Sequence, residues 1–425
     1  MKVYVTSFGC RVNQYEGERV REGFVRRGAL FTPDYHEADV CVVNTCSVTD
    51  NADKDARRLL RKIGRDNPAA KLVITGCYAS RAPGELQDLF PQALIVGNEG
   101  KDSIPALADC SMGLGTDGRA ISSFYGHTRA YIKVQDGCNM RCTYCIIPST
   151  RPAMESRPVA EILAEIEGLL RAGYKEFVLC GIRLGRYWDR SADPDGKSVD
   201  LPGLIERIAA LDGDFRIRLS SIEITDLTDR FLAAYAKTPK TVPYFHLPLQ
   251  SGSDAVLASM KRWYGTRFYG ERIEAARRSL GQSLAIFTDL MIGFPSETGE
   301  LFDESLAFAR KIGFAGMHIF RFSSRQGTPA ASMENVVDVL ELDRRFKDSH
   351  ALDGELRAAF AGRFIGRQLR VLWEEAALEG LKGHAENFLP VVEMRQGRDQ
   401  SPRANEWQTV TINHADGSRL IASHA

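Results

Sequence analysis

No stretch of this 425-residue chain approaches the 18 or so apolar residues that a membrane span requires, so no transmembrane helix is expected. Neither sign of charge is in surplus: 55 Lys and Arg stand against 55 Asp and Glu. That balance excludes a uniformly basic nucleic-acid coat and leaves a local basic face open. Internal repeats and low-complexity tracts are missing. With 44% apolar and 26% charged residues, the composition is that of a globular protein rather than a disordered or fibrous one. Met1–Val5 runs directly into a strand-like pattern without the features of a signal peptide, so a soluble cytoplasmic protein is expected. The nine cysteines, an odd number in a long chain, argue against a disulfide framework. At roughly 100–200 residues per domain, the length implies two to four domains.

Three cysteines read as small buried hydrophobes or loop residues: Cys41 and Cys180, each inside an apolar run, and Cys110. The other six carry chemistry. Cys138, Cys142 and Cys145 form a C-x3-C-x2-C loop with Tyr144 before the last thiol. Three thiolates on one short loop can hold three irons of a 4Fe–4S cluster and leave the fourth iron open. A structural zinc site is the alternative, but zinc favours four closed ligands and no fourth Cys or His lies nearby. Cys10, Cys46 and Cys77 each end a strand-like run: Val3–Cys10, Val40–Cys46 and Leu72–Cys77. Helix-like stretches follow each, the pattern of an N-terminal doubly wound parallel sheet. Ligands in such sheets gather outside the carboxyl ends of the strands, so these three thiols can converge although far apart in sequence.

The C-x3-C-x2-C loop resembles the radical S-adenosylmethionine (SAM) superfamily. A three-cysteine N-terminal domain joined to such a core resembles the methylthiotransferases, which insert sulfur into an unactivated C–H bond and methylate it. The resemblance implies two 4Fe–4S clusters, one on Cys138, Cys142 and Cys145 and an auxiliary one on Cys10, Cys46 and Cys77. It implies that SAM cleavage gives a 5′-deoxyadenosyl radical, which takes hydrogen from the substrate carbon. Sulfur then comes from the auxiliary cluster and a second SAM supplies the methyl group. An electron donor such as flavodoxin or ferredoxin and a sulfur donor are implied as partners.

The organisation expected is an auxiliary-cluster domain over residues 1–110, a linker marked by Gly113, Gly115 and Gly118, a radical SAM core over 125–355 and a small all-β domain over 360–425. Strands and helices alternate in the core, such as the helix-like Val159–Ala172, and fit βα units. The resemblance narrows this to a partial (βα)6 barrel. The C-terminal segment alternates like short strands between turns. Its Leu381–Val391 stretch resembles the TRAM domain, an RNA-binding barrel of tRNA-modifying members; a bland capping domain is the alternative.

Family analogy places SAM contacts at strand ends. These are Gly181 in Phe177–Gly185, then Ser220, Ser221 and Glu223, then Gln250 and Ser251 in His246–Ser253, and Ile292 and Phe294 beside the adenine, with Tyr144 in the cluster loop. His246 and Met260 read as core, Glu297 as structural, and Arg325 as a candidate carboxylate contact. Arg321 and Phe322 stand where related members usually carry proline and tyrosine. Arg57, Arg58, Arg61, Lys62 and Arg65 lie at helical spacing opposite Leu59, Leu60 and Ile63, a candidate RNA-binding face or a solvated one. Gly9–Glu16, Asn44–Thr49, Asp53–Arg58 and Arg218–Glu223 resemble most closely the branch that modifies N6-threonylcarbamoyladenosine beside the tRNA anticodon. Sister branches act on isopentenyladenosine or on an aspartate of a ribosomal protein. A non-enzymatic iron–sulfur RNA-binding or redox protein is the remaining class.

Overall fold

The computed structural model describes residues 1–108, 120–191, 198–334, 336–377, 380–394 and 404–423. Cys110 and the Gly113, Gly115 and Gly118 linker lie outside them. Among the described residues, no helix is long and apolar enough to cross a membrane.

The first layer is a five-stranded parallel sheet. Its strands β1 (Lys2–Ser7), β2 (Leu30–Phe31), β3 (Val40–Thr45), β4 (Lys71–Gly76) and β5 (Leu94–Val96) lie in the order β2-β1-β3-β4-β5. All six residues of β3 are buried, as expected of a central strand covered on both faces. Helices α1 (Arg11–Arg26), α2 (Asp50–Asp66) and α3 (Cys77–Arg81) begin at or just after the ends of β1, β3 and β4. The start of α2 follows from its sequence: Thr49 caps it by accepting a hydrogen bond from the Ala52 N–H, and Asp50 and Asp53 lie in the positive first turn.

The core is built on six parallel strands: β6 (Arg129–Asp136), β8 (Glu176–Gly181), β11 (Arg216–Leu219), β12 (Tyr244–His246), β13 (Ala285–Ile292) and β14 (Gly316–Arg321). The short β7 (Glu155–Ser156) edges β6, and β9 (Trp188–Asp189) pairs with β10 (Val199–Asp200). Only isolated bridges, Ile217 to Thr241 and Ser221 to His246, join β11 to β12, so two parallel sheets meet there in one partial barrel. A continuous apolar core runs beneath both sheets, from Ile132 and Leu179 to Leu290 and Ile319.

The helix Val339–Gly362 leads into a closed five-stranded barrel, β15 (Gln368–Ala377), β16 (Gly380–Ala385), β17 (Pro390–Met394), β18 (Trp407–Asp416) and β19 (Arg419–Ser423). Closure leaves no unpaired sheet edge. Trp373 fills its centre, and the indole N–H donates to Gln408 Oε1 at 2.8 Å. The barrel shares an apolar cluster with Tyr244 and Ala285 of the core, and an Arg129–Glu374 ion pair and one buried carboxylate add polar ties. Glu176 holds Arg216 and Arg218, whose far nitrogens donate to the carbonyls of His384 and Glu386 at 3.2 Å each.

Candidate active site

The parallel sheet brings the first thiol set together. Cys10 precedes α1, Cys46 follows β3 and Cys77 opens α3, all at carboxyl ends of strands. Gly9 shows how close they pack. Its φ of +87° suits glycine, and a Cβ there would meet Cys46 Sγ at 2.5 Å. The Cys10, Cys46 and Cys77 thiols feel one another's charge. Burial pushes the Cys46 thiol up to about 12, so ligating a metal there requires release of a proton.

The second set lies on the loop after β6. Gly137 has φ +77°, and an added Cβ would lie 1.8 Å from the Ala153 carbonyl oxygen. The loop is pinned at Thr143: its N–H donates to the Met260 carbonyl at 3.1 Å, and its carbonyl accepts from the Ala330 N–H at 2.9 Å. Burial raises the Cys145 thiol to about 12, while the Arg262 guanidinium donates to Cys142 Sγ at 3.3 Å. Among the described residues, no three of His, Cys, Asp and Glu converge tightly enough to hold a single ion. Three thiolates per set are the donors that a 4Fe–4S cluster takes, each on a different iron.

The Cys138, Cys142 and Cys145 loop forms one wall of a cavity of about 280 Å³. Tyr144, Ser221, Glu223 and Gln250 also line it. Gln250 has φ +69°, a strained value for a side-chain-bearing residue, and its buried Oε1 has no hydrogen-bond partner. An acceptor held there calls for an N–H donor, which the amino groups of SAM supply. The donor set and the cavity therefore fit the cofactor. Ser220, Ser251, Gly181, Ile292 and Phe294 stand outside this wall. Ser251 is spent on Ser305 Oγ at 3.0 Å, and Ile292 packs in the main core. Phe294 lies against Tyr144 with ring centroids 6.5 Å apart.

Other residues emerge only from the structure. Arg183 and Asp289 line the cavity with Arg262. His246, half-buried, contacts Ser221 Oγ at 2.6 Å and Asp289 at 3.2 Å, so it orders the cavity's polar edge. Burial pushes the Asp289 carboxyl up, but His246 and His318 outweigh it and hold the group well below its usual range. Met260 is fully buried, as expected. Glu297 accepts from the Gly293 N–H and from Arg345, a structural role. Arg325 pairs with Asp53 of α2 through Nη1 at 2.7 Å, while its buried Nε and Nη2 have no hydrogen-bond partner. Their link fastens α2 to the core.

A buried ionic network lies where α1 meets the core. Glu16 is engaged by Lys101, Lys133 and Arg151, and Asp136 by Lys133 and Arg151. Three cations against two carboxylates leave one positive charge in surplus close to Cys77, which favours anionic ligands there. On the outer face of α2, Lys54, Arg57, Arg58, Arg61, Lys62 and Arg65 line one open hollow. Arg57 is bound inward to the Tyr78 hydroxyl at 2.6 Å, whereas Arg58 and Arg65 are largely exposed. Leu60 and Ile63 are buried beneath them.

Residues 2–97 match a family described only as uncharacterized, UPF0004, and residues 132–309 match the radical SAM superfamily. A threonylcarbamoyladenosine tRNA methylthiotransferase of Bacillus subtilis, MtaB, is 34% identical over 91% of this chain and 89% of its own. A tRNA-2-methylthio-N(6)-dimethylallyladenosine synthase of Sphingopyxis alaskensis is 33% identical over 87% and 86%. The fold is shared with the radical SAM methyltransferase TsrM of Kitasatospora setae, at a TM-score of 0.58 and 13% identity over 78% of this chain and 77% of that one. The chain therefore belongs to the MtaB-type tRNA methylthiotransferases, radical SAM enzymes that use SAM and two 4Fe–4S clusters.

Proposed function

We propose that this enzyme converts N6-threonylcarbamoyladenosine beside the tRNA anticodon to its 2-methylthio derivative. The observation that carries the reading is the pair of three-thiol sets at the carboxyl ends of two separate parallel sheets in one chain. One set suits radical initiation and the other suits sulfur delivery. The substrate rests on the names of relatives from Bacillus subtilis and Thermotoga maritima, 34% and 35% identical, both threonylcarbamoyladenosine enzymes.

When bound, the clusters and SAM supply a carbon-radical initiator and sulfur for C–H functionalisation. Cys138, Cys142 and Cys145 hold the first cluster, and Arg262 offsets the thiolate charge at Cys142. Gln250, Ser221 and Glu223 orient SAM, with Gly181, Ser220, Ser251, Ile292 and Phe294 shaping the wall behind them. Cys10, Cys46 and Cys77 hold the auxiliary cluster. Arg58, Arg61, Lys62 and Arg65 meet the RNA backbone, where neutralising phosphate dominates affinity. The C-terminal barrel, TRAM-like, adds a second RNA contact. A flavodoxin or ferredoxin supplies the electron and a separate donor restores the sulfur.

Mass spectrometry of nucleosides from total tRNA, with and without the gene, tests this. The expected result is loss of the methylthio group from threonylcarbamoyladenosine alone. Loss from isopentenyladenosine instead overturns the substrate, and an unchanged nucleoside profile overturns the tRNA reading.

A further inference from the structure

The two thiol sets belong to different sheets, and delivery of sulfur from one to a carbon activated at the other demands a fixed separation. We infer that Arg151 is the positioning residue that sets it, an inference resting on the two-cluster assignment above. Arg151 closes the short helix Ile147–Thr150, which continues directly from the Cys145 loop. Its carbonyl accepts from the Cys138 N–H at 3.4 Å, so its backbone belongs to the first thiol loop. Its side chain belongs to the other layer. One nitrogen, Nη2, donates to Asn13 Oδ1 at 3.0 Å and to Glu16 at 2.6 Å, one turn into the helix that Cys10 opens. The same nitrogen reaches Asn98 Oδ1 at 3.3 Å, and the Asn98 amide contacts Cys77 Sγ at 3.8 Å.

A single guanidinium thus touches supports of both Cys10 and Cys77 while its own backbone supports Cys138. Its Nη1 is held by Glu16 at 2.8 Å and by both oxygens of Asp136, at 2.9 and 2.8 Å. Its side chain is 1% exposed. Asp136 ends β6, two residues before Cys138, so it locks the fork to the first loop a second time. The planar fork can serve all these acceptors at once. A lysine keeps the charge but offers one nitrogen where two are used in fixed directions. The Asn98 amide also donates to the Thr150 carbonyl at 3.0 Å, so the link to Cys77 runs through the backbone beside Arg151 as well. Apart from Cys138 and Ile147, which its backbone meets, none of the residues that Arg151 contacts lines the SAM cavity, and neither does Arg151 itself. Radical initiation and sulfur transfer are therefore separable by substitution here.

The test uses the full chain with both clusters reconstituted. In Arg151→Lys, iron content and SAM cleavage to 5′-deoxyadenosine stay within about twofold of wild type. Methylthio product per 5′-deoxyadenosine falls at least tenfold. The dipolar coupling between the two reduced clusters, read by pulsed electron paramagnetic resonance, changes from one sharp distance to a broad distribution. Asn98→Ala, which cuts only the Cys77 side and leaves the buried charges paired, moves both readouts the same way by a smaller amount. An unchanged coupling and an unchanged product ratio in Arg151→Lys overturn the inference. If Arg151→Lys fails to hold its clusters, Asn98→Ala decides: unchanged readouts there overturn the inference equally.

Discussion

Replacing Glu176 by glutamine should loosen the core and the barrel together. Glu176 is fully buried, and its two oxygens accept from Arg216 and Arg218, themselves almost fully buried. The substitution keeps the shape and removes the charge, leaving two guanidinium groups facing a neutral amide. Breaking a buried ion pair from one side costs about 3–5 kcal/mol. For a folding unit of this size that is a fall of roughly 10 °C in the melting transition. Burial pushes the Glu176 carboxyl up, but Arg216 and Arg218 outweigh it and hold it far below its ordinary range. A depressed carboxylate contributes stability above its unfolded pKa of about 4.3 and loses it as pH falls towards the folded value. The gap between wild type and Glu176→Gln is therefore constant near neutrality and shrinks by about 1.4 kcal/mol for each unit below pH 4.3. Scanning calorimetry across pH measures both quantities. A drop smaller than about 2 °C would refute the reasoning, as would a gap that widens in acid. Exchanging all three residues for apolar ones of similar volume should cost the fold little. It removes the donors to the His384 and Glu386 carbonyls, so limited proteolysis between core and barrel should speed up while the shared apolar cluster still holds the two together.

Three further outcomes are expected. Gly9→Ala forces a Cβ against Cys46 Sγ, so iron per chain should fall from about eight to about four while SAM cleavage persists; full iron loading would contradict the packing. Cys142→Ala should abolish 5′-deoxyadenosine formation, whereas Cys77→Ala should retain it and lose the methylthio product, and identical defects would merge the two roles. Reversing Arg58 and Arg61 to glutamate should weaken binding of an anticodon stem-loop about tenfold and flatten its salt dependence by roughly 1.5 logarithmic units per decade of salt. Cleavage of SAM without RNA should be unaffected.

The thiol sets were legible because cysteines after Gly or at strand ends are locally marked. Strand β13 was read over the same Ala285–Ile292 that the structure gives, since six of its eight residues are apolar and only Thr288 and Asp289 interrupt the run. The helix read as Val159–Ala172 ends one residue earlier, at Arg171. The short strands β2 and β5 left no pattern long enough to read. Arg151 and Glu16 stayed silent for another reason: each is an ordinary charged residue, and they meet 135 positions apart. His246 was read as a satisfied core histidine. It is satisfied, but by Ser221 and Asp289 at the cavity edge, partners that only the closing of the barrel brings to it.

Helix α1 has a consequence for synthesis of the chain on the ribosome. Its buried face carries Tyr15, Glu16 and Arg21, whose partners are Glu165, Arg151 and Ser123. During synthesis Tyr15 therefore waits for its native partner until some 150 residues more have been made, about 7–30 s at ordinary elongation rates. The N-terminal sheet can form early, but its inner helix face stays open for that interval. Translation speed through residues 120–165 then governs how long the buried face of α1 waits for Ser123 and Glu165.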